Sequence, residues 1–454
     1  MKRIIALSTV AILSTALYAE VDADTQALID DLSKKIEKLE KKQKKNTKKL
    51  SKVNSLAAKD NLKFDVDLRT AYDNIQYKST GGTKYSNDAL YSTRLWLGMG
   101  YAPTSTMTFK GQLSYHKAFG ASYNNQRGEG FDSFDWVVNE SLTDDTLKVR
   151  EAYWLWTPTV GGFPTTWSVG RRPSTNGYLI NLRDDDKAKS PLGHVINMEF
   201  DGASASVRLD KYVPGMYAKL CLGRGLTNAS AKFDSDGTDY DQDTSSLDNM
   251  DLAGVIFQPY DDGQYSVMTN YYRGFNVIGY EGSSISSLGN MDGAAISAKI
   301  DGIGNEINDF LDETIVFASF AMSQTRPDDI AMLGSLDQKT GTSYWIGTQM
   351  PNLTGGKFGL EFNHGSKYWR PFTYGEDTMI GSKMATRGNA YEAYWTQPII
   401  KDVFSMQIRY TYLDYEYSGS NAFFGDNGTP NDIDSNDAYI TTSQDIRLYF
   451  RYRY

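Results

Sequence analysis

From residue 62 onward the side chains alternate between polar and apolar, and one of the two faces is densely charged. In "LKFDVDLRTAYD" the set Leu62, Phe64, Val66, Leu68, Thr70 and Tyr72 points one way, while Lys63, Asp65, Asp67, Arg69 and Asp73 point the other. A period of two is that of a β-strand. A face carrying that many charges requires water, so the opposite face is the one that can meet an apolar medium. Similar segments fall near 90–101, 106–118, 147–157, 165–172, 194–210, 216–223, 250–258 and 265–273, and again near 293–301, 313–324, 342–350, 357–365, 387–397, 402–415 and 442–454. With the first they make sixteen predicted strands, of a length that suits tilted membrane strands of about 9–11 residues. Residues 194–210, interrupted by Gly202, could also be read as two strands.

The connections follow a second rhythm. Short joins such as "APTS", "TPTVGGFP", "KYVPG", "PYDDGQ", "PNLTGG" and "QPIIKD" carry turn residues. They alternate with long polar stretches at 74–89, 119–146, 173–193, 224–249, 274–292, 325–341, 366–386 and 416–441. Short turns at one end and long loops at the other predict an all-β transmembrane β-barrel of about sixteen antiparallel strands over residues 61–454. The join at 302–312 is long enough for a helical turn. The chain has 31 Tyr, 20 Phe, 8 Trp and 40 Gly against a mean hydropathy of −0.48, and this combination fits many short alternating strands better than a soluble core. Outward aromatics such as Tyr91 with Tyr101, Tyr265 with Tyr271, and Phe404 with Tyr410 and Tyr412 suit the two interfacial belts. One position conflicts. Glu151 in "VREAYWLW" falls on the outward face, which predicts a bulge or a different strand there. The same register points Trp96, Trp154 and Trp156 inward.

Ahead of the barrel, "MKRIIALSTVAILSTALYAE" has a basic start, a short apolar stretch and small residues before Glu20, which predicts a secretory signal peptide over residues 1–19. Residues 20–60 have a different character. Ile29, Leu32, Ile36, Leu39, Gln43, Asn46, Leu50, Val53 and Ala57 recur at heptad spacing, the seam of a short α-helical coiled coil. Its lysines outnumber its acids, eleven to eight. We read it as a periplasmic arm that makes a homotrimer through residues 29–57 and turns its lysines toward the cell wall; a single solvated helix is the alternative.

The lumen of such a barrel is wide enough for a channel. Loop 173–193 places Arg171, Arg172, Arg183, Asp184, Asp185, Asp186, Lys187 and Lys189 in and beside one short segment. If it folds inward these are pore-constriction candidates, because opposed charges across a narrow gap set ion preference; if it stays outside they are surface charges. The register places Arg94, Lys110, Lys148, Arg150, Arg208, Arg409, Arg447, Arg451 and Arg453 on the water face as pore-lining candidates, with fewer acids, chiefly Asp65, Asp67, Glu199, Glu361 and Glu392. Removing +2 for the leader and +3 for the arm from the total of −9 leaves −14 over residues 61–454, so acids concentrate in the loops. A basic wall below acidic loops predicts anion preference. Asp234, Asp236, Asp239, Asp241 and Asp243 have the carboxylate spacing of a calcium loop but lack its terminal Glu. Calcium in an extracellular loop is therefore the only cofactor considered.

Cys221 stands alone and His116, His194 and His364 are scattered, so no disulfide, zinc spacing or local hydrolase motif arises. An enzyme would need a Ser or Asp beside one of those histidines. Nothing points to nucleic acid. The arrangement resembles trimeric porins, with a third loop able to fold inward, and a coiled coil before the barrel resembles some sugar- and phosphate-selective porins. "GRRPSTNG", "FDGASASVRLD" and "LEFNHGSKYW" resemble an uncharacterised family of bacterial outer-membrane barrels. What these resemblances imply is a porin-like channel for passive diffusion in the outer membrane, surrounded by its lipid. The closing "SQDIRLYFRYRY" resembles the terminal strand read by the outer-membrane assembly machinery. A structural protein tied to the cell wall is the alternative function.

Overall fold

The computed structural model describes residues 62–454 except 121–146, 231, 234, 243–246 and 374–377. The leader and the arm, residues 1–60, lie outside the described residues. Sixteen long strands form the barrel: β1 (Lys63–Ser79), β2 (Lys84–Tyr101), β3 (Met107–Ala118), β4 (Lys148–Trp156), β5 (Phe163–Ser174), β6 (Met198–Arg208), β7 (Tyr217–Leu226) and β8 (Met250–Asp261), then β9 (Tyr265–Glu281), β10 (Ser284–Asp301), β11 (Ile315–Pro327), β12 (Thr340–Pro351), β13 (Lys357–Gly365), β14 (Gly388–Ile400), β15 (Phe404–Tyr415) and β16 (Ile440–Arg453). Each pairs antiparallel with its neighbours in sequence, and β1 also pairs with β16, so the sheet closes. Closure runs to the last residue, where the Tyr454 amide donates to the Val66 carbonyl at 2.9 Å and the Val66 amide donates back at 2.8 Å.

The alternation sets the two faces. Phe64, Leu68, Tyr91, Leu222, Val255, Ile296, Phe320, Ile408 and Phe450 are exposed on the outside, while Arg69, Asp73, Arg94, Glu392, Arg409 and Arg447 are buried inside. No described helix is long and apolar enough to cross a membrane. The loops at one end are L1 (80–83), L2 (119–147), L3 (175–197), L4 (227–249), L5 (282–283), L6 (328–339), L7 (366–387) and L8 (416–439). Short turns join the strands at the other end.

Several boundaries differ from the expected ones. Residues 74–89 and 274–292 are mostly strand: β1–β2 and β9–β10 continue past their neighbours as hairpins. Register shifts at Asp73/Ile75 and Gly274/Val277/Ile278 break the alternation there, which made them look like loops. Residues 194–210 hold one strand, beginning at Met198, and His194 belongs to L3. The join at 302–312 does carry a helical turn, Asp309–Asp312, whose N-cap Asn308 accepts from the Leu311 amide at 2.9 Å.

The conflict at Glu151 resolves as a bulge. Gln112 pairs with Glu151 and Leu113 with Val149, so Arg150 is extra and both Arg150 and Glu151 turn inward. Everything after it on β4 changes face. Trp154 and Trp156, expected inside, are 39% and 43% exposed on the outer surface, and only Trp96 of the three faces in.

Inside, the barrel wall is of two kinds. From β8 to β12 the large inward side chains are apolar, among them Leu252, Ile256, Met268, Tyr272, Met291, Phe317 and Trp345, interspersed with small polar ones such as Asn270, Ser297, Ser319 and Ser343. They pack against loop residues that enter the barrel: Leu179, Ile180 and Val195 of L3, Trp369, Phe372 and Met384 of L7, and Phe423 and Phe424 of L8. Backbone bonds stitch these loops together, with the Asn197 amide donating to the Phe372 carbonyl at 2.7 Å and the Phe372 amide to the Val195 carbonyl at 3.0 Å. From β13 around through β1 to β6 the inward side chains are mainly charged.

Candidate functional site

The charged half of the wall is a set of stacked ion pairs. Arg447 Nε donates to Asp73 Oδ1 at 2.5 Å, Arg451 pairs with Asp67, and Arg94 Nη2 lies 3.7 Å from the same Asp67. Arg150 Nε is 3.3 Å from Glu199 Oε1. The Arg94 and Arg150 guanidinium groups both lie on the Trp96 ring, 3.5 and 4.0 Å from its centroid, and Arg69 lies over Tyr449. Arg69, Arg94 and Arg150 thus keep their charge at the wall while lying over an aromatic face.

L3 crosses this lumen and docks at the turn end. Its tip carries Arg183, Asp184, Asp185 and Asp186. Arg183 Nη1 donates to Glu392 at 3.3 Å. Asp184 Oδ1 accepts from the Tyr449 hydroxyl at 3.0 Å, and its carbonyl accepts from Arg451 Nη1 at 2.9 Å. Asp186 Oδ1 accepts from Arg451 Nη2 at 2.9 Å and lies 3.3 Å from Arg453 Nη1. The Asp185 carboxylate meets Lys357. Two wall amides hold the backbone, Gln349 donating to the Leu182 carbonyl and Gln407 to that of Arg183, both at 2.8 Å. Two turns shape the tip. Asp185 has φ +53°, a left-handed conformation that aspartate tolerates better than most residues, and Leu179 has φ +79°, a costly value for leucine that its complete burial holds in place. On the returning arm Lys189 pairs with Glu151. Burial pushes the Lys189 ammonium below its ordinary pKa, and the Glu151 carboxylate opposes that shift. Lys187 is exposed.

The remaining predicted residues divide. Arg172 points inward, donating to Ser168 Oγ at 2.7 Å and lying over the Tyr153 ring. Arg171 does not: one residue earlier, it is on the outer face, donating to the Val149 carbonyl at 2.7 Å and lying 3.4 Å from Asp201. Lys110 is exposed and Lys148 half-buried, both on inward positions, and Arg409 is buried 3.9 Å from Glu392. Arg208 sits at the turn-end rim, bridged to Asp210. Asp234 and Asp243 lie outside the described residues; Asp239 caps the Phe233 amide, and Asp241 accepts from Ser230. No three metal-ligating side chains converge among the described residues.

Sequence reasoning missed Lys383 of L7, which reaches the wall to meet Glu361 at 2.6 Å and also Glu392. Aromatic residues inside supposedly solvated loops, "KYWRPF" and "NAFFG", were the available signal. The histidine requirement of an enzyme is met in composition only. His194 Nδ1 is 2.7 Å from Ser319 Oγ and Nε2 is 2.9 Å from Ser343 Oγ, but the ring is fully buried against Trp345 and Trp369. Burial holds its pKa down, to about 3.

The model of a family described as "Protein of unknown function (DUF3373)" matches residues 84–454. The chain belongs to this family. No curated protein matches it. The DUF3373 chain is similar in fold to Salmonella typhi OmpF in complex with daunomycin, at 12% identity and TM-score 0.48, covering 86% of this chain and 97% of that one. It is also similar to Pseudomonas putida OprB at high pH, at 11% identity and TM-score 0.48, covering 87% of this chain and 94% of that one. A loop L8 deletion mutant of Vibrio cholerae OmpT, an outer-membrane protein, is similar at 10% identity and TM-score 0.47, covering 87% and 99%. At such identities no residue role passes from these proteins to this one.

Proposed function

We propose that this DUF3373 protein is an outer-membrane channel for passive diffusion of small hydrophilic solutes, with the L3 tip as its constriction. The observation that carries the reading is the division of the lumen. One half is dry and filled by loops, while the other keeps charged walls. Within the charged half, inward side chains that retain exposure gather on β1 to β5, among them Asp65, Lys110, Lys148 and Arg172. The solute path runs there, between L3 and that wall, past Asp65, Lys110 and Lys148, with the buried Arg94 and Arg150 guanidinium groups behind its surface. The cationic side chains of that wall, opposite a tip whose carboxylates are already paired with Lys357, Arg451 and Arg453, give the constriction an anion preference. The turn end faces the periplasm, residues 1–19 are a cleaved leader, and residues 20–60 form the trimerising arm. We assign the protein no enzymatic activity: His194, which meets Ser319 and Ser343, is sealed from any substrate.

Planar-bilayer recording of purified, folded protein tests this. Discrete conductance steps are expected, with a reversal potential in a salt gradient on the anion side. Folded protein that never conducts would remove the channel reading, and a cation-side reversal potential would remove the proposed preference. Deleting residues 20–60 is expected to leave barrels that conduct as monomers; an unchanged trimer would remove the role of the arm.

A further inference from the structure

The outside of the barrel is as divided as the inside. Across β12 to β4 the loop-end boundary carries aromatic rings, including Tyr344 beside His364, Tyr391 beside Tyr412, and Tyr72 beside Tyr91. Aromatics at that level suit an ordinary headgroup belt. Across β5 to β11 the same boundary carries outward arginines and aspartates on seven successive strands instead: Arg171, Asp201, Arg224, Asp251, Arg273, Asp292 and Arg326. Arg224 clasps Asp251 through two bonds of 2.7 and 2.9 Å, and both side chains stay about half exposed. Arg273 and Arg326 share the single carboxylate of Asp292, at 2.6 and 2.5 Å, and leave that cluster with net positive charge. Along β5 to β9 the girdle borders an open groove, lined by Arg171, Asp201, Arg224 and Asp251 together with Val169, Ala203, Leu222, Ala253 and Phe275.

We infer that this face is a seat for a phosphate-bearing anionic lipid, its headgroup on Arg224, Arg273 and Arg326 and one acyl chain in the groove. Charge complementarity selects this occupant. Guanidinium groups outnumber carboxylates in the girdle, and a guanidinium fork matches a phosphate. A second copy of the chain would have to bury ion pairs that this chain already satisfies, at a desolvation cost. A headgroup at the water boundary adds to the guanidinium groups without drying them. The small side chains of Ala203 and Ala253 make the groove deep enough for a chain, where aromatics on the opposite half would fill it.

Native mass spectrometry of the detergent-purified full-length protein tests the inference, with dioleoylphosphatidylglycerol and dioleoylphosphatidylcholine as probes of identical tails. Wild type is expected to retain the anionic lipid at least tenfold better. Arg273→Gln with Arg326→Gln is expected to erase that preference, and Ala253→Trp to weaken retention severalfold with every charge intact. Bilayer conductance of both variants is expected to match wild type, which separates this seat from the channel reading. Equal retention of the two lipids, or retention untouched by either variant, would overturn it. So would variants that change the oligomeric state and leave lipid retention unchanged, because the face would then be a contact between copies.

Discussion

Glu392 is the point at which two loops hang from one wall residue, and Glu392→Gln is the sharpest test of how the lumen is held. The carboxylate is fully buried on β14. Arg183 of L3 approaches it at 3.3 Å, Lys383 of L7 contacts it, Arg409 lies 3.9 Å away, and Thr411 donates to it at 2.9 Å. At 3.3 Å and an effective dielectric of ~20, the Arg183 attraction alone is about 5 kcal/mol before desolvation. Removing one partner of a buried pair costs ~3–5 kcal/mol, because the charges left behind stay dry. The amide keeps the shape and some hydrogen bonding, so the lower value, about 3 kcal/mol, is expected to fall on loop docking. That raises the undocked population roughly 100-fold. In planar bilayers the variant is expected to show larger conductance and frequent flicker. Combining it with Lys383→Met removes one stranded cation and is expected to quiet the channel, a non-additive outcome that marks the shared contact. Folded Glu392→Gln protein with wild-type conductance and noise would refute the reasoning that these loops are electrostatically tethered.

Arg94→Gln with Arg150→Gln removes both guanidinium groups from the Trp96 ring and is expected to move the reversal potential toward cations; an unchanged potential would place the solute path elsewhere. Trp154, Trp156 and Trp167 are exposed outside whereas Trp96, Trp345 and Trp369 are buried inside, so brominated-lipid quenching is expected to fall in the Trp154→Phe and Trp156→Phe variants, with Trp167 still quenched, and hardly at all in Trp96→Phe. Equal losses would remove the β4 bulge. His194, with its pKa near 3 when docked against an ordinary value of about 6.5, contributes stability that is complete above pH ~6.5 and is lost as pH falls toward 3. At pH 5 the loss reaches about 2 kcal/mol, expected as acid-induced opening of L3 that His194→Gln abolishes.

The barrel was legible because each strand writes its two faces in a period of two, and a wide lumen keeps one of them charged. Where the reading failed, a local event broke that period. One extra residue at Arg150 carried Trp154 and Trp156 to the other side, and no propensity in "VREAYWLW" announces a bulge beyond the misplaced Glu151. Arg171 and Arg172 show the same sensitivity: adjacent residues at the end of one strand, they serve opposite faces, although both were grouped as constriction candidates. The site was half legible. The acids and bases of L3 could be named from sequence, but their partners on β13 to β16 are separated from them by more than 150 residues and become neighbours only when the barrel closes.

A wide lumen also explains why the loops had to enter. Side chains from the wall of a sixteen-strand barrel do not reach its axis. The apolar inward residues of β8 to β12 would therefore stand in water unless something covered them, at a cost of roughly 1.5–3 kcal/mol for each large side chain left exposed. The chain supplies the cover from L3, L7 and L8. These segments carry Ile180, Val195, Trp369, Phe372, Phe423 and Phe424, residues that solvated loops have no use for. The charged half of the wall needs no apolar cover, since its arginines and carboxylates pair with one another and with the polar tip of L3. An apolar inward face on a wide barrel thus specifies apolar loop residues to cover it, a charged one specifies a polar loop tip, and L3 carries both, with Ile180 and Val195 on the first and Arg183 and Asp184 on the second.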